Sequence, residues 1–188
     1  RRPVGELAAV DQFDTLVEGR HPLHVQDGPE DLVASAGHAE SEEKENKFYD
    51  PVEKKIEGWT IAVDPRLLSD EQKEFGEKAF KALANHLQRV EYIVTKKRLG
   101  ELKTLRIWLE LDNTALGNMQ YHPSRGWLLA NGHDPRLVKH VHIPRAKALL
   151  DRHMWAKHPY VVLHELAHSY HDQILSFDHP EIVDAFKK

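Results

Sequence analysis

Apolar residues between positions 59 and 90 predict a strand followed by a long helix. Trp59–Val63 is a short apolar run that stops at an Asp-Pro pair, as strands commonly do. Ser69 and Gln72 have the spacing of a capping box, which marks the start of a helix. Apolar side chains then return every three or four residues from Phe75 to Val90, so this helix is expected to bury one face.

Two further runs alternate apolar and polar residues, which is the period of a strand. In 105–111 the apolar residues alternate with Arg106, Trp108 and Glu110, and this predicts a strand that is buried on one face. The run Val138–Ile143 alternates with two histidines, and we expect it to form the edge of the sheet. A further helix is predicted after Pro144.

The last strong pattern predicts a helix that begins near Pro159, because proline suits the first turn of a helix. Most of this helix is expected to be buried, since its apolar residues recur at helical spacing: Leu163, Leu166, Ala167, Tyr170 and Ile174.

The order of these elements predicts an α+β fold, with a small mixed sheet packed on helices. Residues 1–58 contain glycine and proline breaks and the charged run 40–47, so they are predicted to be an irregular, linker-like segment. Residues 59–188 are predicted to form one domain. We expect the chain to be a fragment, which its first residue, an arginine rather than an initiator methionine, also suggests, and we expect the domain to be truncated at its C-terminus.

Composition and charge exclude several classes of protein. The 188 residues carry a formal net charge of −4, which provides no general attraction to nucleic acid or to an anionic membrane. No apolar run is long enough for a membrane span. The absence of cysteine excludes disulfides, a cysteine nucleophile and a thiolate metal site. It is compatible with an exported location, secreted or periplasmic, and oligomeric state is left open.

The sequence His164-Glu165-Leu166-Ala167-His168 carries the most chemical information in the chain. On a helix, His164 and His168 lie one turn apart on the same face, so both imidazoles reach one metal ion. Zinc suits neutral imidazoles, and a catalytic zinc keeps one position open for water. Glu165 stands where a carboxylate would take a proton from that water. Histidines that face solvent or form ordinary hydrogen bonds are the alternative.

This helix resembles the active-site helix of the zincin metallopeptidases. Residues Val161–Tyr170 satisfy every position of the extended zincin signature around HExxH. The resemblance implies a zincin-like fold, with His164 and His168 as Zn²⁺ ligands and Glu165 as the general base. More loosely, 121–173 resembles a group of uncharacterised bacterial and fungal proteins assigned as metallopeptidases, which are distantly similar to the protease domain of anthrax lethal factor.

A catalytic zinc needs a third protein ligand, and the sequence leaves its identity open. The metzincin continuation fails, because His171 stands at its glycine position and Ile174 at its last histidine position. The aspzincin GTxxD segment is absent. The gluzincin pattern places a glutamate on a second helix further downstream, so we expect the ligand beyond Lys188. Glu181 is the best candidate within the chain.

Two neighbours of the motif have alternative roles. His171 shares the helical face of both motif histidines, but two turns of helix separate it from His164, which is too far for one tetrahedral ion. Asp172 lies four residues after His168, so it is either an acceptor for that imidazole or a solvated surface aspartate.

The sequence therefore predicts a zinc-dependent peptidase that acts on a peptide or protein and that uses Glu165 as the base. In zincins an edge strand above the helix receives the substrate by β-addition, and Val138–Ile143 is expected in that place. Within the loop 112–126, Tyr121, His122, Ser124 and Arg125 are either oxyanion donors or turn residues, and we leave them outside the catalytic set. The alternative function is a non-catalytic zinc-binding or interaction domain.

Overall fold

The computed structural model describes residues 48–176 and 178–187. Its sheet has five strands in the order β1-β2-β3-β5-β4. The strands are β1 (Val52–Ile56), β2 (Trp59–Val63), β3 (Arg106–Leu109), β4 (Gln120–Tyr121) and β5 (His140–Ile143). The described helices are α1 (Lys73–Ile93), α2 (Lys96–Leu102), α3 (Arg125–Ala130), α4 (Arg152–Lys157), α5 (Val161–Tyr170) and α6 (Pro180–Phe186). This arrangement confirms the α+β class and the mixed sheet.

The centre of the sheet is parallel, and both of its outer strands are antiparallel. Strands β2, β3 and β5 run in the same direction. At one side β1 forms a hairpin with β2 through Glu57 and Gly58, which both have positive φ angles of 49° and 85°. Such φ values belong to the tight turns that match the twist of a hairpin. At the other side β4 pairs antiparallel with β5.

The strand at the open edge differs from the one predicted. Val138–Ile143 was expected at the edge, but β5 lies between β3 and β4, so β4 occupies the edge. The difference arises because residues 120–121 pair with the side of β5 that faces away from β3. These two residues have no alternating apolar pattern, so the sequence did not predict a strand there. The hairpin strand β1 lies in the range that was assigned to a linker-like segment, so the sheet begins before Trp59. The remainder of that range, 1–47, lies outside the described residues.

One face of the sheet is covered by the two longest of the described helices, α1 and α5. Ile61, Ile107, Val141 and Ile143 point to this side and belong to the large apolar core. Helix α1 contributes the face that its spacing predicted, and α5 contributes a second row that includes Leu163 and Leu166. The core therefore holds the motif helix against the strands and fixes its direction.

The opposite face of the sheet is also covered, so β3 is buried on both faces and not on one as predicted. Trp108 is only 2 % exposed and packs with Ala62, Leu128 and Leu137 in a second apolar cluster. Its indole N–H donates to the Tyr49 hydroxyl at 2.8 Å. The alternating pattern of this strand did not indicate burial of Trp108, because the residues that cover it come from distant parts of the sequence.

The predicted helices form, but their first turns differ from those that the sequence predicted. Helix α1 is preceded by a 3₁₀ turn at Asp70–Gln72, and Ser69 makes no capping contact but donates to the carbonyl of Arg66 at 2.9 Å. The prediction of a capping box was therefore wrong, although the predicted helix is confirmed. The segment after Pro144 forms a 3₁₀ helix, Ala146–Leu150, before the short α4.

Gly76 in α1 offers a test of the packing between this helix and the chain before it. A Cβ atom at Gly76 would lie 2.2 Å from the carbonyl oxygen of Leu67, which is backbone and cannot move aside alone. Although alanine is normally preferred to glycine in a helix by about 1 kcal/mol, we expect Gly76→Ala to lower the free energy of unfolding by about 2 kcal/mol through overpacking. Urea unfolding measures the change.

Gly100→Ala is the matched control, because Gly100 is also helical but a Cβ there would meet no atom within 4 Å. This variant should keep or raise the free energy of unfolding, by up to about 1 kcal/mol. Equal stabilities for the two variants would contradict the close approach of α1 to Leu67.

Candidate active site

Helix α5 places the motif residues against the edge of the sheet. The chain turns at Pro159–Tyr160, and the first motif amide, that of His164, donates to the carbonyl of Tyr160 at 2.9 Å. The apolar residues of α5 face the core, and the helix packs against β4 and β5. After Tyr170 the helix continues as one π-helical turn, His171–Leu175. Such turns occur frequently at functional sites.

The two motif imidazoles meet, as their spacing predicts. Their Nε2 atoms are 3.1 Å apart and their rings are nearly perpendicular, at 84°. This separation suits a hydrogen bond in which one ring donates to the other. It also suits a shared zinc, since two nitrogens about 2.0–2.1 Å from a tetrahedral ion lie about 3.3 Å apart. Burial lowers the pKa of His164 and so favours the neutral ring that binds a metal.

Glu165 carries a buried carboxyl group on the same helix as this pair. Only 8 % of the residue is exposed, and its Oε2 atom accepts the backbone N–H of Tyr121 at 2.9 Å. Burial raises the pKa of Glu165 to about 7, and the hydrogen bond from Tyr121 opposes that rise because it stabilises the ionised form. The carboxyl group is thereby held in one position between α5 and β4.

Tyr121 joins the edge strand to the motif helix at two points. Its amide points away from β5, since the next amide in the strand, His122, donates to the carbonyl of His140 in β5. Its hydroxyl donates to Asp172, which also accepts from Lys139. Asp172 is therefore not the solvated surface aspartate that was one of its two expected roles. Sequence reasoning left Tyr121 outside the site, because its contribution is a backbone amide and no residue type indicates that.

The other polar residues of the loop 112–126 are placed elsewhere. The His122 ring is buried and its Nε2 lies 3.1 Å from Nδ1 of His142, away from the motif histidines. Ser124 accepts the amide of Trp127 at the start of α3, and Arg125 is exposed on that helix. Ser124 caps the start of α3 and Arg125 is its first residue, so both serve the start of this helix.

The described residues do not bring a third ligand to the two imidazoles. Within 48–176 and 178–187, no three histidine, aspartate or glutamate side chains form a group that could hold a metal ion. Glu181, the best candidate from the sequence, is exposed near the start of α6. His171 follows on the π-helical turn and likewise does not complete such a group.

A large cavity opens next to the motif. Its volume is about 1180 Å³, and His164 and Glu165 lie in its wall together with apolar side chains that include Met119, Met154 and Val161. Small-molecule pockets commonly measure about 300–1,000 Å³, so this cavity has room for several residues of a peptide. The imidazole of His164 and the carboxyl group of Glu165 thus lie in the wall of a space that admits a substrate, and His168 is not part of that wall.

Comparison with family models, with curated proteins and with solved structures found no match to this chain. None of the helices in the described part of the chain is long and apolar enough to cross a membrane, in agreement with the sequence prediction.

Proposed function

We propose that this protein is a zinc-dependent peptidase whose site is formed by His164, Glu165 and His168. The observation that carries the proposal is the meeting of the two motif Nε2 atoms, 3.1 Å apart, on a helix whose His164 and buried Glu165 lie in the wall of a peptide-sized cavity. The neutral state that burial favours at His164 supports a role as metal ligand.

In this proposal His164 and His168 hold the metal, and a zinc bound there supplies a water of lowered pKa and polarises the carbonyl of the substrate. Glu165 accepts the proton of the attacking water and then donates it to the amine that leaves. The Tyr121 amide keeps the Glu165 carboxyl group in place through both steps.

Strand β4 is the proposed docking edge for the peptide. It is the last strand of the sheet, and α5 packs directly against it. A peptide that added to this edge would be bound through backbone groups other than the Tyr121 amide, which Glu165 already holds, and its side chains would alternate between the cavity and the opposite side. The zincin-like arrangement therefore belongs to the proposal, with β4 in the role that the sequence analysis had assigned to Val138–Ile143.

The missing third ligand supports a second candidate function. A catalytic zinc has three protein ligands, so the peptidase requires one from outside the described residues. A zinc-binding domain without catalysis would retain the same pair of imidazoles. A structural zinc normally has four protein ligands, however, and it has no use for a buried carboxyl group at Glu165.

Zinc analysis combined with a cleavage assay separates these functions. The peptidase is expected to bind about one zinc per chain and to cleave an unstructured protein such as casein, with loss of cleavage after chelation and recovery when zinc is returned. Stoichiometric zinc without cleavage would favour the non-catalytic domain. A chain that binds no zinc would contradict both functions.

A further inference from the structure

The cavity beside the motif has a charge that the proposed chemistry does not use. Apart from Glu165, its charged lining consists of three cations and one carboxylate: Arg145, Lys147, Lys157 and Asp151. With Glu165 ionised, as the proposed base requires, the lining holds three cations and two carboxylates and has an excess of one positive charge, whereas the chain as a whole has a formal net charge of −4. An excess of one sign of charge in a cleft favours ligands of the other sign.

Two of these cations have no partner within the described residues. Arg145 forms an ion pair with Asp112 at 3.3 Å, and the carboxylate of Asp151 accepts the amide of His153 at the start of α4. In contrast, Lys147 and Lys157 are exposed. The side-chain ammonium group of neither forms a hydrogen bond or an ion pair with another residue in 48–176 or 178–187. They reach the same cavity from the 3₁₀ helix Ala146–Leu150 and from the end of α4.

We propose that the cavity selects peptides with acidic side chains close to the bond that is cleaved, and that Lys147 and Lys157 are the residues that recognise them. The inference rests on the proposed peptidase function and names its class of substrate. In this proposal the apolar wall at Met119, Met154 and Val161 contacts the aliphatic part of a glutamate, while the ammonium group of Lys147 or of Lys157 pairs with its carboxylate.

Binding of two fluorescein-labelled ten-residue peptides tests this inference. One peptide carries glutamate at alternate positions, and the other carries glutamine at the same positions. Each is titrated against the full chain with Glu165→Gln, which prevents cleavage, in the presence of zinc. Because an exposed ion pair contributes modestly, we expect the glutamate peptide to bind about five- to tenfold more tightly at low ionic strength. The difference should shrink as salt is added.

Charge reversal at the two lysines is the decisive variant. In Glu165→Gln protein that also carries Lys147→Glu and Lys157→Glu, the preference for the glutamate peptide should disappear. Lys81→Glu with Lys96→Glu is the matched control, because both of these lysines are exposed, lie outside the cavity wall and change the net charge equally. The control should keep the preference.

Equal binding of the two peptides, no binding of either, or a preference that survives the reversal at Lys147 and Lys157 would overturn the inference. A separate cleavage assay with the unmodified chain distinguishes it from the proposed function. Cleavage of both peptides at equal rates, with equal binding, would overturn the acidic preference alone. A lysine-dependent preference without any zinc-dependent cleavage would support the acidic preference and contradict the peptidase.

Discussion

Glu165→Gln is expected to reduce peptide cleavage about 10³-fold while zinc binding is unchanged. The substitution removes the group that accepts and returns the proton, a contribution that commonly amounts to about 10²–10⁴-fold. The carboxamide has the same shape, and its oxygen is able to accept the Tyr121 amide that now bonds to Oε2. The fold and the two imidazoles should therefore be preserved. Steady-state kinetics and metal analysis of the same preparation measure both quantities.

Glu181→Gln is the control, because it makes the same chemical change at an exposed glutamate. It should keep both cleavage and zinc, since Glu181 does not form a metal-binding group with other described residues. Normal cleavage by Glu165→Gln would refute the proposed mechanism. Loss of zinc in Glu181→Gln would instead identify Glu181 as the third ligand and show that α6 packs differently from the structure described here.

Elements with a long apolar pattern were predictable from the sequence, and paired outer strands were not. Helix α1 buries a periodic set of side chains, and strand β2 is a short apolar run with four of its five residues buried; both patterns are visible in the sequence alone. In β1, by contrast, four of the five residues are exposed. Strand β4 has only two residues, both half-buried. Such strands are stabilised by backbone hydrogen bonds to a neighbour, which any residue except proline can form.

The same distinction applies to the candidate site. His164 and His168 were predictable to lie together because their contact depends only on the geometry of one helical turn. The contact between Tyr121 and Glu165 joins residues 44 positions apart, and it depends on the way β4 packs on α5. Burial of Asp172 between Tyr121 and Lys139 depends on the same packing. Local spacing therefore identified the side chains that carry the chemistry, whereas the residues that hold them required the structure.

The second large effect is expected at the metal, where His168→Ala should abolish stoichiometric zinc binding and cleavage together. Without the His168 imidazole, His164 is the one metal ligand that the described residues still provide at the site. The loss should exceed the roughly 10–100-fold decrease in metal affinity that follows when only a hydrogen-bond partner of a ligand is removed. A competition titration with a chromophoric chelator measures the affinity. Added zinc should raise the Tm of the unmodified chain but not that of the variant.

His171→Ala is the matched control, since His171 is one turn beyond His168 and follows it on the π-helical turn. Seven residues of helix separate His171 from His164, a rise of roughly 10 Å, so these two rings do not share one tetrahedral ion. His171→Ala should consequently keep its zinc. If His168→Ala kept zinc and His171→Ala lost it, the meeting of the two Nε2 atoms 3.1 Å apart would be an ordinary hydrogen bond and would not mark a metal centre. The peptidase proposal would then fail at its first step, because Glu165 would have no activated water beside it.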